Sequence, residues 1–272
     1  MLMATFIVSL MTLFSEADFL SWGWRIPFLL SSVLVLLGLW IRKDIDETPD
    51  FQRVKASGQV AKAPLRDTLK HHWREVLIAA GLKVVETAPF YIFSTFVVSY
   101  ATSTLTYQKS QALEAVTLGA LVATIMIPLM GLLSDKVGRQ RMYAISVFVL
   151  GLFIVPWFML LNTGTTWGIV LATVIAFGVL WAPVTAVLGT LCSEIFSANV
   201  RYTGITLGYQ LGAALAGGTA PLIATGLLAK YDGDWVPVAW YLAVTVTISL
   251  IAIFCASRVK RATLIQAQPE RL

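Results

Sequence analysis

Long apolar runs separated by short polar stretches set the pattern of this chain. Seven runs stand out: Trp24–Ile41, Val76–Tyr100, Leu113–Leu133, Met142–Leu161, Trp167–Leu191, Thr203–Ala229 and Val238–Ser257. Each is long enough, at about 1.5 Å per residue, to cross a hydrocarbon core of roughly 30 Å. The outer helices of a soluble bundle would alternate apolar with polar positions, and these runs mostly do not. The pattern predicts an all-α integral membrane protein. Trp22, Trp24, Tyr100, Trp167, Trp235 and Trp240 stand at run ends, where an aromatic belt belongs. Pro128, Pro156, Pro183 and Pro221 fall inside runs, where a membrane helix tolerates them, and mark bends. Met1–Phe14 is apolar too but only about half a span long. It lacks the basic start and small-residue cleavage site of a signal peptide, and it reads as the end of a helix that begins upstream.

Composition agrees with a lipid environment: 57% of residues are hydrophobic and 13% charged, against about a quarter charged in soluble domains. The net charge of +5 does not point to nucleic acid, because the basic residues sit between the apolar runs. Their distribution instead orients the array. Arg42, Lys43, Arg53, Lys55, Lys62, Arg66, Lys70 and Arg74 fall in one connection. Lys136, Arg139 and Arg141, then Arg201, then Arg258, Lys260, Arg261 and Arg271 fall on the same side. The other side has Arg25, Lys109 and Lys230, diluted by Glu16, Asp18, Asp232 and Asp234. The positive-inside rule then makes the first side cytoplasmic, with both termini there.

The only long connection is polar and basic. Six spans joined by short loops after a long cytoplasmic linker fit the second half of a two-lobed carrier, built from two inverted three-helix repeats. The expected division is 1–41, the end of a fifth helix plus a sixth; 42–75, a cytoplasmic linker; 76–257, a six-helix carboxyl-terminal lobe; and 258–272, a cytoplasmic tail.

Two cytoplasmic segments carry the most specific residues. In Gly131-Leu-Leu-Ser-Asp-Lys-Val-Gly-Arg-Gln-Arg141, Gly131 and Gly138 permit a tight turn and close helix approach. Asp135 can cap a helix or pair with a guanidinium, and Arg139 and Arg141 offer planar donor forks. This segment resembles the signature loop of the major facilitator superfamily, in the copy between helices eight and nine. Gln140 stands where a basic residue is usual, with Arg141 next in line. Ser193-Glu-Ile-Phe-Ser-Ala-Asn-Val-Arg-Tyr-Thr-Gly204 is similar to the sequence between helices ten and eleven of that superfamily, and Glu194 and Arg201 can pair with the signature loop. The resemblance implies a gating role for Gly131, Asp135, Gly138, Arg139, Arg141, Glu194 and Arg201, latching one conformation of the cytoplasmic side. Ordinary topology and helix capping would also account for these charges. Ser21-Trp-Gly-Trp-Arg-Ile-Pro-Phe-Leu-Leu30, with Arg42 and Glu47-Thr-Pro49, is similar to the metabolite:proton symporters, the subgroup of shikimate, α-ketoglutarate, dicarboxylate and proline/betaine carriers. That likeness implies a family member of about twelve spans, of which this chain holds the portion from the fifth helix onward.

Charge within the spans needs its own explanation. In Val76–Tyr100, Lys83, Glu86, Thr87, Tyr91, Ser94 and Thr95 fall on about half of the helix circumference. Leu82, Val85, Pro89, Ile92, Phe93 and Phe96 take much of the other half. Such a polar stripe turns toward a bundle interior or a watery cavity. Glu86 is the candidate proton or substrate group, near the midplane, with Lys83 three residues away and Tyr91 as a neighbouring donor. Alternatively, Lys83 and Glu86 only neutralise each other. Thr203–Ala229 carries Gly204, Gly208, Gly212, Ala216, Ala220 and Ala224, a small residue at every fourth position and a stripe for close helix packing. Its functional extension is sliding against the missing amino-terminal lobe. Tyr209 and Gln210 beside it are further cavity candidates; Trp181 and Pro183 read as a packed bend.

The sequence shows no phosphate-binding loop, no catalytic constellation and no metal-ligand cluster, so no enzyme, cofactor or metal is expected. The expected function is a secondary carrier, by proton-coupled symport, of a small organic acid or zwitterion across the bacterial inner membrane by alternating access. Its partners are the metabolite, the proton, the lipid bilayer and an amino-terminal lobe. Two alternatives stay open: a truncated, transport-inactive fragment or subunit that needs a partner lobe, and a drug:proton antiporter.

Overall fold

A computed structural model describes residues 21–43, 52, 64–197 and 200–266. The short run Met1–Phe14, most of the connection 42–75 and residues 267–272 lie outside the described residues. The chain divides into two units, Met1–Gln59 and Val60–Leu272. Among the described residues, seven helices are long and apolar enough to cross a membrane. They are α1 (Gly23–Ile41), α2 (Trp73–Ser103), α3 (Lys109–Val137), α4 (Arg139–Leu161), α5 (Thr166–Ser193), α6 (Arg201–Lys230) and α7 (Val236–Arg258). The seven apolar runs thus reappear as helices, most of them a few residues longer at each end. In the first unit α1 opens with a 3₁₀ turn, Gly23–Arg25, and the Arg25 guanidinium lies 4.4 Å from the centre of the Trp24 ring.

In the second unit α2 is the central helix, packed against both α6 and α7, while α5 packs on α3 and α4. Its apolar half is the buried half: Leu82, Val85, Pro89, Ile92, Phe93 and Phe96 are all inside. An aromatic chain runs from there through Trp157, 5.0 Å from Phe93, and Phe158 to Trp235, stacked at 4.9 Å. At the opposite end from the signature loop, the Tyr107 hydroxyl donates to the carbonyls of Leu161 and Thr165, at 2.9 and 3.2 Å. Burial raises the pKa of that phenol, which therefore stays protonated and able to donate.

Close approach of α6 to α2 depends on glycine at two positions. A Cβ on Gly208 would lie 2.5 Å from Ala79 Cβ, and one on Gly212 would lie 2.5 Å from the Ala80 carbonyl oxygen. The small-residue stripe thus packs as its sequence reading expects, with Gly208 and Gly212 set against α2 within this unit. The bend expected at Pro221 takes the form of a full break in the helix. Helix α6 breaks into Arg201–Ala216 and Ala220–Lys230 around a turn, with Pro221 in the first turn of the second piece. Proline has no N–H to give a preceding helical turn, so the chain leaves the helix at Gly217–Thr219 and restarts it.

Two helices contain π turns: Ile92–Phe96 in α2 and Val174–Leu180 in α5. Each lies near a proline, Pro89 in α2 and Pro183 in α5. The Pro183 ring would crowd the carbonyl of Val179, four residues back, and the wider π winding there relieves it.

Candidate functional site

The polar half of α2 holds a charged pair close to the middle of the helix. The Lys83 ammonium pairs with Glu86 Oε2, three residues on, and the two side chains are 18% and 13% exposed. A single charge at the centre of a membrane helix costs about 2.5–3.5 kcal/mol on insertion scales, which explains why this one has a partner. The carboxylate has further donors. Thr87 Oγ1 is 3.0 Å from Oε2, and Thr185 Oγ1 of α5 donates to Oε1 at 3.3 Å. The Trp181 indole N–H, one turn before Thr185, donates to the Glu86 backbone carbonyl at 2.7 Å.

From α6, the ring of Tyr209 lies beneath the Lys83 ammonium, 4.9 Å from ring centre to Nζ. The Tyr209 hydroxyl is buried beside the Cys192 thiol and makes no hydrogen bond of proper geometry. A Cβ on Gly212 would lie 2.7 Å from Lys83 Cβ and 3.2 Å from its Cγ, so the lysine stem rests on the α6 backbone.

The turn bearing this pair is held from behind. Ser249 Oγ of α7 donates to the Gly81 carbonyl at 2.6 Å and accepts from the Val85 N–H at 3.1 Å, spanning one turn of the α2 ladder. Tyr143 Oη of α4 donates to the Leu82 carbonyl at 2.5 Å. Two neighbouring helices thus fix the backbone on the face opposite Lys83 and Glu86.

The structure brings Lys83, Glu86 and Tyr209 together. Tyr91 lies more than a turn further on, exposed, with its ring edge-on to Phe90 at 5.3 Å. The hydroxyls at Glu86 are instead those of Thr185 and of Thr87, whose single proton is shared between Oε2 and the Lys83 carbonyl, each 3.0 Å away. Gln210 is exposed beside Tyr209. Trp181, expected only as a packed bend, touches the site directly, and it also joins Phe90 and Phe177 in an aromatic triangle, each ring 5.2 Å away. Trp181 and Thr185 escape sequence reasoning because their partner is about a hundred residues away. The available signal is an indole and a hydroxyl four residues apart on one face of an apolar helix.

At the signature loop, Gly138 ends α3 and precedes α4 with φ of 94°, a left-handed conformation that glycine adopts without strain. Gly131 differs from expectation: a Cβ there would meet nothing within 4 Å, so it serves no close helix approach among the described residues. Arg139 donates to Glu194 Oε1 at 2.6 Å and to Asp135 Oδ1 at 3.3 Å, joining the α3–α4 and α5–α6 loops. These loops border a hollow of about 530 Å³, lined in part by Arg141 and Glu194. Arg201 Nε donates to the Phe196 carbonyl at 3.4 Å.

The family model describing the Major Facilitator Superfamily matches residues 1–217 and 90–271. The chain belongs to that superfamily. It is similar to the shikimate transporter of Escherichia coli (strain K12), 31% identical over 265 residues, covering 96% of this chain and 60% of the relative. It is 30% identical over 254 residues to a glycine betaine/proline/ectoine/pipecolic acid transporter of Dickeya dadantii (strain 3937), covering 90% and 50%. With the proline/betaine transporter of Escherichia coli (strain K12) it shares 29% identity over 254 residues, again 90% and 50%. The chain thus spans about half to three-fifths of the length of these relatives. No solved structure matches it significantly. Membership of the Major Facilitator Superfamily places the chain among transporters rather than enzymes. With seven helices of crossing length among the described residues, it is a multi-pass membrane protein.

Proposed function

We propose that the chain contributes the carboxyl-terminal lobe of a secondary carrier that moves a small organic acid or zwitterion together with a proton across the bacterial inner membrane. In this reading residues 76–257 form the lobe, and 1–41 belong to the amino-terminal one. Residues 42–75 and 258–272 lie in the cytoplasm, as do both termini. The observation that carries the reading is the Lys83–Glu86 pair within α2, half-buried among hydroxyls at mid-helix. A titratable carboxylate there can take up a proton, and its neutralisation frees the lysine for a substrate anion. Alternating access then follows from two lobes rocking about a midplane site. In this scheme Arg139, Asp135 and Glu194 latch the cytoplasmic loops in one state. Arg201 and Arg141 belong to the same cytoplasmic surface.

The test is uptake of labelled shikimate and glycine betaine by cells expressing the chain, with and without a proton gradient. Wild-type uptake should rise with the gradient, and Glu86→Gln should abolish that dependence. Unchanged uptake and pH dependence in Glu86→Gln would sink the reading. Because the reading gives the chain one lobe of two, uptake is expected when the first half of a related carrier is co-expressed with it.

A further inference from the structure

The surroundings of the Lys83 ammonium are those that recognise a ligand cation: a carboxylate on one side and an aromatic face on the other. Glu86 supplies the first and Tyr209 the second. We propose that Lys83 is a built-in occupant of this ammonium seat. It thereby sets the site to take organic anions and to exclude substrates that bring an ammonium or quaternary ammonium of their own. The inference rests on the reading of this pair as the substrate site and narrows its substrate class.

Three observations support it. The root of the lysine side chain is set against the α6 backbone at Gly212, where any Cβ would collide with it, and the ammonium is then held by Glu86 and the Tyr209 ring. Both oxygens of Glu86 are already engaged, Oε2 by Lys83 and Oε1 by Thr185, so an incoming cation would have to displace the lysine. The ammonium, by contrast, has three donors, more than the Glu86 contact consumes. A carboxylate ligand is the acceptor that would take up the remaining donors.

The experiment measures binding by titration calorimetry on the chain in lipid nanodiscs. Benzoate is the anion probe and tetramethylammonium the cation probe. Wild type should bind benzoate and show no tetramethylammonium binding. Lys83→Ala should weaken benzoate by roughly tenfold or more and gain tetramethylammonium to a similar extent. Methylammonium added to Lys83→Ala should fill the vacated seat and restore benzoate binding. Lys83→Met, which keeps the stem and loses the charge, should lose benzoate without gaining the cation. This variant guards against a Lys83→Ala chain that fails to fold. Benzoate binding unchanged in both variants would overturn the proposal. So would tetramethylammonium binding to wild type, or absence of benzoate binding to wild type. The transport reading stands or falls separately: intact benzoate binding with proton-independent uptake would remove that reading and leave the seat in place.

Discussion

At the residue scale, the site shows how a charge is kept inside a membrane helix. Glu86 is satisfied by its own helix through Lys83 and Thr87 and by α5 through Thr185. Lys83 was legible in the sequence, because residues three apart on a helix are neighbours in any fold; Thr87, the residue after Glu86, was legible only as part of the polar stripe, with Tyr91 expected as the donor. The α5 partners were not legible, because helix adjacency is a property of the packed bundle. Trp181 has two separable contributions there, an N–H bond to the Glu86 carbonyl and ring contact with Phe90 and Phe177. Trp181→Phe removes only the bond and should cost about 1 kcal/mol of stability. Trp181→Ala also removes the rings' shared surface and should cost about 3–5 kcal/mol. Unfolding titrations in mixed detergent micelles measure both. Equal losses would mean that the aromatic triangle contributes nothing.

At the element scale, helix existence was legible and helix continuity was not. A run of 20 apolar residues announces a span whatever its neighbours. In Thr203–Ala229 the small-residue stripe reads straight through residues 217–219, where the backbone in fact turns. The sequence Gly217-Gly218-Thr219-Ala220-Pro221 contained the signal, since glycine lowers helix propensity and proline prefers a helix start. The stripe also named its role, close packing, without naming its partner α2. Consequences differ sharply along α6. Gly212→Ala places a methyl 2.5 Å from the Ala80 carbonyl and 2.7 Å from Lys83 Cβ. Backbone on one side and a stem root on the other cannot yield, so the helices must separate, at about 1–3 kcal/mol. Gly226→Ala meets nothing within 4 Å and should be neutral, or more stable by up to about 1 kcal/mol through helix propensity. The same unfolding titration compares them, and equal effects would contradict the α6–α2 contact.

At the scale of the whole molecule, the second unit has an internal echo that supports reading it as two inverted three-helix repeats. Helices α2 and α5 would be the first members of those repeats, and both carry a π turn. In α2 seven helical residues follow the turn, and in α5 eight precede it. An inverted pair traverses the membrane in opposite directions, so both turns stand about equally far from the end opposite the signature loop. The Arg139–Glu194 bond shows that the α3–α4 and α5–α6 loops share one end of the unit. Lys136, Arg139, Arg141 and Arg201 therefore gather there, while Trp167, 76% exposed, begins α5 at the other end. If basic connectors mark the cytoplasm, the orientation follows. Single cysteines replacing Arg53, Arg141 and Trp167, in a chain with Cys192 and Cys255 changed to serine, provide the measurement. An impermeant maleimide added to intact cells should label Trp167→Cys alone, and Arg53→Cys and Arg141→Cys only after the membrane is opened. Labelling of Arg141→Cys from outside would invert the array. Labelling of Arg53→Cys and Arg141→Cys from opposite faces would break the expectation that the 42–75 connection and the signature loop share the cytoplasmic side.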